Sequence, residues 1–545
     1  MKRTKYIALI LCIAMVLSLL AGCGNTEVSD TTVASNNAQE AAASAVPDTN
    51  PEPALDEDLG TETVTKETLV VGAYPESTGF DPQNGEGNMV YLLGMCVYEN
   101  LFTADVNGNL SPDLATSWEY NADGSELTIH LREGVKFHNG NDFTSEDVVY
   151  TITRLSQNMI WGAQVASIDL EKTHCPDDYT VVLALSHFDA RLLPTLCAEV
   201  GFMMDKDYCE EVGDDGIARS PMGTGPYSFV KNESGVGITL ARNENYWGDL
   251  GVFKTIELRY FSDDNTRTLE LESGTLDIAV VESDFNFKYI NDGGIDGVYL
   301  YSWPTTKIGS LMMGTATEDP LFQNENLRLA ICHAIDVSTL VSSISGNTAL
   351  VATSSMPEMC EAYVPHPYTY DPDLAREYLD KAGYPNGVSF TITVSQDQAN
   401  DVKMAEAIQA QLAEVGIDMK IETSDMFTVV MGQVHGSINS SIMTNGYNGD
   451  PYEEYKPMTP DSGMALAAFT DEDAIAAVNE LISTQDESHR VELLKKLQDI
   501  VYDKGIYLPL YQWVAAYAAR DQIHGLEDAA FHSMPVIDLT KITIG

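Results

Sequence analysis

Apolar positions along this chain fall into two rhythms, one of period two and one of three to four, which together predict an α/β protein. Thr68-Leu69-Val70-Val71 is a short apolar run of the kind that forms a buried strand. Further on, Trp118-Glu119-Tyr120 leads into the turn residues Asn121-Ala122-Asp123-Gly124, and Leu127, Ile129 and Leu131 then alternate. That pattern predicts a hairpin. Thr144 stands three residues before Asp147, a cap for a helix carrying Val148, Val149, Ile152 and Leu155 on one face. In the second half Phe390, Ile392 and Val394 alternate as a strand. Met404, Ile408, Leu412 and Val415 recur at helical spacing, Gly416 ends the helix, and Ile417, Met419 and Ile421 alternate again. A strand–helix–strand unit of this length implies a parallel pair with a right-handed crossover. Asp371-Pro372 opens another helix, with Leu374, Tyr378, Leu379 and Ala382 as its apolar face and Gly383 at its end.

The N-terminus reads differently. Lys2, Arg3 and Lys5 precede an apolar run from Ile7 to Leu20, a signal-peptide pattern too short to span a bilayer comfortably. It ends in Leu20-Ala21-Gly22-Cys23, which resembles the bacterial lipobox. That resemblance implies a lipoprotein signal peptide over residues 1–22 and lipid on Cys23, whose acyl chains hold a soluble domain on the membrane. Residues 24–65 carry nine acidic residues, no Lys or Arg and no aromatic. With the lipidated Cys23, the segment 23–66 is expected to be a disordered acidic tether. A coil of that length reaches roughly 35 Å. The expected location is extracytoplasmic, anchored to the cell membrane.

Composition narrows the function. The 545 residues are 44% hydrophobic, enough for more than one domain with a sizeable core. Eighty-two acidic residues against 30 basic ones give a formal charge of −52, which excludes a nucleic-acid partner. Solubility accounts for most of that acidity, and attraction of cationic ligands into a cleft is the second reading. Past Cys23 the cysteines are Cys96, Cys175, Cys197, Cys209, Cys332 and Cys360, with none in a CxxC pair. They read as scattered buried thiols. The chain has no GxSxG, no HExxH and no phosphate loop, and its histidines are dispersed, so neither an enzyme, nor a cofactor, nor a metal site is expected.

A series of motifs then appears in order along the mature chain: Phe80-Asp81-Pro82, Tyr98-Glu99-Asn100-Leu101-Phe102, and the stretch from Pro112 to Trp118. Leu131-Arg132-Glu133-Gly134-Val135-Lys136-Phe137-His138-Asn139-Gly140 follows, then Phe143 to Tyr150, Gly223-Thr224-Gly225-Pro226-Tyr227, Asn243 to Trp247, Leu327 to Asp336, and Tyr370-Asp371-Pro372. The series resembles the family 5 solute-binding proteins, the peptide, dipeptide and nickel receptors of ABC importers. Most of these residues read as scaffold, and Arg132 is expected to pair with an acid. The resemblance implies a two-lobed, type II periplasmic-binding fold of the Venus-flytrap kind, with an extra subdomain in lobe I. Lobe I takes residues 67–300 plus 505–545, lobe II residues 301–504, and the crossings fall near Tyr299–Lys307 and Gly505–Pro509. It implies a monomer that captures peptides between its lobes and hands them to ABC-importer permease subunits.

Within that resemblance Asp450, in Tyr447-Asn448-Gly449-Asp450-Pro451, is the sharpest site residue. Peptide-binding relatives carry a Gly-Asp-Pro at a matching place whose aspartate meets the ligand's α-ammonium, a strong charge-assisted bond in a closed cleft. The relatives' upstream tryptophan is absent, Thr444 standing there, and an Asp-Pro turn is the plainer reading. Tyr447, Trp303 and Trp161 are the candidate pocket aromatics. The alternatives are a receptor for a nickel-type metal chelate, with His435 as its ligand, a receptor for another small solute, or a sensor's ligand-binding subunit.

Overall fold

Strand Thr68–Gly72 is the centre of one large sheet. It pairs in parallel with Thr255–Arg259 on one side and Ile278–Val280 on the other. The computed structural model describes residues 66–545, apart from residues 86, 159–160, 316, 318, 397, 448–449 and 459–470. The expectations for residues 1–65, Cys23 among them, lie outside the described residues. From the Thr68–Gly72 centre the sheet runs outward through antiparallel Gly237–Arg242 and Tyr227–Glu233. In the other direction it continues through Tyr507–Arg520 and Val298–Met313 to Ser440–Asn445.

The two long strands tie separate hydrophobic cores together. Trp303, Ala515, Tyr517 and Ala519 pack in a core with Leu69, Val71, Ile256 and Leu258. Leu311, Met313, Leu508, Leu510 and Tyr511, on the same two strands, pack instead with Phe390, Ile392, Met404 and Ile408. The change of core falls where the pairing slips, between Pro304 opposite Val514 and Ile308 opposite Gln512. The passage expected at Gly505–Pro509 precedes this slip along the chain. Leu508 is 1% exposed inside the second core, and the strand changes core only after Tyr511. An alternating apolar strand gives no sign of where along its length it changes partners.

The local expectations hold. Val388–Ser395 and Ile417–Ser424 pair in parallel around the helix Ala399–Glu414, with Met404, Ile408 and Leu412 fully buried. Ala115–Tyr120 and Glu126–Leu131 form the hairpin. They belong to a four-stranded sheet with its own core, in which Ile129, Val148, Ile152 and Val181 are buried. Thr144 and Asp147 form a capping box on helix Ser145–Leu155. Among the described cysteines no disulfide forms, and Cys96, Cys209, Cys332 and Cys360 are buried thiols. Burial pushes the thiols of Cys209 and Cys332 up to about 12.

Several of the ordered motifs meet one another, while Ile335, Asp336 and Tyr370 line a cavity of about 250 Å³. Glu99 accepts hydrogen bonds from Thr224 Oγ1 at 2.6 Å, Tyr246 Oη at 2.7 Å and Trp247 Nε1 at 3.0 Å, joining three of the motifs. A Cβ on Gly223 would come within 2.1 Å of the Val97 carbonyl oxygen, so the turn needs glycine there. Arg132 departs from expectation. It donates to the Asp113 backbone carbonyl and lies 4.0 Å over the Trp247 ring, and its charge acts on the Glu99 and Asp113 carboxyls without an ion pair to either. Asp81 holds Arg154 at 2.5 and 3.0 Å and so fixes the Ser145–Leu155 helix. No single described helix is long and apolar enough to cross a membrane.

Candidate functional site

A cavity of about 260 Å³ opens where the long strands change core. Its wall includes Tyr74 of the first core with Asn88, Glu282 and Pro535, and also Ser345, Thr348, Gln398, Asn400 and Asp401. Strand Tyr507–Arg520 supplies Tyr511 and Trp513 to Ala516. At about 30 Å³ per water this is space for roughly nine water molecules. Clefts between bodies joined by crossing segments are where ligand sites are physically expected.

Among the described residues the wall carries two carboxylates and no Lys, Arg or His. Glu282 is neutralised by Arg267 at 2.6 Å, whose guanidinium also binds Asp264 and the Ala73 carbonyl. Asp401 is 4% exposed and has no cation within ion-pair distance among the described residues. Its Oδ1 accepts from Tyr511 Oη at 2.8 Å, and that hydroxyl also meets Thr444 Oγ1 at 3.1 Å. Burial pushes the Asp401 carboxyl up to about 6, against the pull of the Tyr511 hydroxyl.

The two bodies are drawn together around the cavity. Asp284 Oδ1 accepts from Asn347 N at 2.7 Å and Nδ2 at 3.0 Å, joining helix Asp284–Asn291 to the turn Gly346–Thr348. Elsewhere Glu361 N donates to Asn107 Oδ1 at 2.8 Å, and Ala190 N to the Ile482 carbonyl at 2.9 Å. These bonds span long sequence separations and describe a closed arrangement.

Lys307 stands at the slip between the crossing strands. Burial lowers its ammonium pKa, the more distant Glu199 pulling the other way, and no carboxylate lies within ion-pair distance among the described residues. Its side chain keeps some accessible surface and does not line the cavity.

None of the four ligand contacts expected from sequence lines the cavity. Asp450 is 2% exposed, with both oxygens bound by Arg490 Nη2 at 2.9 and 3.0 Å, and its Oδ1 also accepts from Tyr452 N. Arg490 in turn donates to the Leu481 carbonyl at 2.7 Å. The pair is a strut joining the 450 turn to two helices, Glu472–Ser483 and Glu487–Asp503. Tyr447 is buried, and its carbonyl accepts from Thr306 Oγ1 at 2.9 Å. Trp303 belongs to the first core, stacked on Tyr517, with Nε1 donating to the Phe531 carbonyl. Trp161 packs half-buried on the core of the four-stranded sheet. His435 is exposed at the end of helix Met426–Val434, and no group of three His, Cys, Asp or Glu gathers among the described residues.

Sequence reading missed Asp401 and Lys307. Asp401 sits in the first turn of a helix, where an acid needs no further explanation. Lys307 carried a usable signal, a lone cation inside the apolar run Ile308 to Met313 and its flank, in a chain poor in bases.

Two α/β bodies, joined by two long strands with a cavity between them, define a two-lobed solute-binding fold. Residues 109–465 match the Bacterial extracellular solute-binding proteins, family 5 Middle, and the chain belongs to that family. Heme-binding protein A of Haemophilus influenzae is 26% identical over 464 residues, 78% of this chain and 82% of that protein. Glutathione-binding protein GsiB of Pectobacterium atrosepticum is 26% identical over 477 residues, 83% of this chain and 92% of the relative. Among solved structures, the periplasmic binding protein DppA of Helicobacter pylori in complex with the peptide STSA superposes with a TM-score of 0.74. It is 24% identical and the match covers 88% of this chain and 98% of that one, a likeness of fold.

Proposed function

We propose that this chain is the substrate-binding lipoprotein of an ABC importer, that it captures peptides in the cavity between its lobes, and that it performs no catalysis. The observation that carries the reading is the cavity of about 260 Å³ at the change of core on the crossing strands. The relatives' names support peptide-like solutes, glutathione and the peptide STSA among them. Asp450, with Arg490, is in this reading a structural strut and not a ligand contact. In this reading the lobes meet at Trp303–Ile308 and Gln512–Val514, a permease receives the loaded monomer, and Cys23 carries the lipid.

Mass spectrometry of solutes released by denaturing the purified protein tests the class. A ladder of peptides is the expected result, and a metal chelate, a haem or a sugar in their place would sink the peptide reading. The anchor is tested apart. Cys23→Ser is expected to shed the folded protein from membranes washed with carbonate, and a variant that stays bound would refute the lipid anchor.

A further inference from the structure

Asp401 has a place in the cavity that no scaffold role uses up. Its Oδ1 is held by Tyr511, while Oδ2 has no hydrogen-bond partner among the described residues and the side chain lines the cavity. A carboxylate 96% removed from water and half satisfied is expensive to keep there. Structural aspartates in this chain look different: Asp81, Asp264 and Asp450 each use both oxygens. The other carboxylate on the wall among the described residues, Glu282, already has Arg267.

We propose that Asp401 is the cation subsite of this receptor: Oδ2 accepts a hydrogen bond from a protonated primary amine of the solute, while Tyr511 fixes Oδ1. The inference rests on the peptide-receptor reading and deepens it by naming which residue meets the solute's cation. Tyr511 is itself steadied by Thr444, so the carboxylate is held before the solute arrives. Such preorganisation reduces the cost of binding.

The subsite makes binding depend on pH in a direction that can be worked out. The titratable groups facing Asp401 are Tyr511, Glu282 with its partner Arg267, and Tyr74 across the cavity. Burial moves both tyrosines further above their ordinary range, away from neutral pH. Below about pH 6 the empty site holds a proton on Asp401 and the cation must displace it, so affinity falls. Above that value the carboxylate is ready and affinity levels off.

The test uses the whole chain and a synthetic pool of tri- to pentapeptides made without arginine or histidine, offered native and fully N-acetylated. Retained peptides are measured by mass spectrometry after gel filtration, from about pH 5 to 8. Wild type is expected to retain the native pool and refuse the acetylated one, with retention rising through about pH 6. Asp401→Asn keeps the shape without the charge and is expected to lose about 10- to 100-fold in affinity. Tyr511→Phe removes the bond that stabilises the charged form, so the midpoint of the pH profile moves upward. That shift is a readout a merely structural Asp401 would not produce, and it stands even if Asp401→Asn fails to fold. Equal retention by wild type and Asp401→Asn, or a pH profile unmoved in Tyr511→Phe, overturns the subsite and leaves the receptor reading standing. Wild type retaining the acetylated pool as well as the native one also overturns it. Wild type retaining neither pool overturns the peptide reading and the subsite together.

Discussion

Asp450 shows what a single carboxylate does when both of its oxygens are already engaged. Its bidentate bond to Arg490 is largely buried, the two side chains being 3% and 17% exposed. Removing one member strands the other charge, which costs about 3 kcal/mol in such surroundings. Asp450→Ala is therefore expected to lower unfolding stability by about that amount in denaturant titration. Calorimetry on the folded variant is expected to show a much smaller loss of peptide affinity than the hundredfold that direct ammonium contact demands. A stable variant that binds native peptides a hundredfold more weakly would return Asp450 to the ligand. Asp401 is the contrasting case, a carboxylate with an oxygen to spare.

At the scale of elements, closure depends on small structures at helix ends. Gly346 has φ 55° and begins the turn that donates to Asp284, the first residue of helix Asp284–Asn291. A Cβ there would stand 2.2 Å from Asp284 Oδ1, and the left-handed backbone is itself unfavourable to alanine by about 1–2 kcal/mol. Gly346→Ala is expected to part the two bodies at this latch and weaken peptide affinity about tenfold, the equivalent of about 1.4 kcal/mol. Small-angle scattering reads the same event. Peptide should reduce the radius of gyration of wild type, and the variant should need more peptide for the same change. Identical titrations of the two proteins would show that the Asp284 latch has no part in closure.

Among the described residues two main cores are threaded by one sheet, with another around the four-stranded sheet and another against helices Glu472–Ser483 and Glu487–Asp503. The chain's charge of −52 surrounds a cavity whose wall is itself acidic. A cationic group is therefore favoured at long range by the net field and at contact by Asp401. Hinge closure of this kind needs a few residues to absorb the motion. The irregular pairing from Pro304 to Ile308, opposite Gln512 to Val514, is where the sheet already lacks a regular ladder.

Local elements were legible in the sequence because their causes are local. The Thr144–Asp147 capping box, the hairpin at residues 121–124 and the 388–424 strand–helix–strand unit follow from periodicity and turn chemistry over spans of a few to some forty residues. The ordered motifs carried the family, since each marks a scaffold joint such as Glu99 with Thr224, Tyr246 and Trp247. The site was not legible. Whether a carboxylate is spent or spare depends on partners far away in sequence: Arg490 lies 40 residues from Asp450, and Tyr511 lies 110 from Asp401. A tryptophan's residue type likewise leaves open whether it faces a cavity or Tyr517. By itself the sequence determined the elements, the family and the acidic balance. Only the tertiary structure decided which charges were neutralised before any solute arrived, because neutralisation is a property of distance in space.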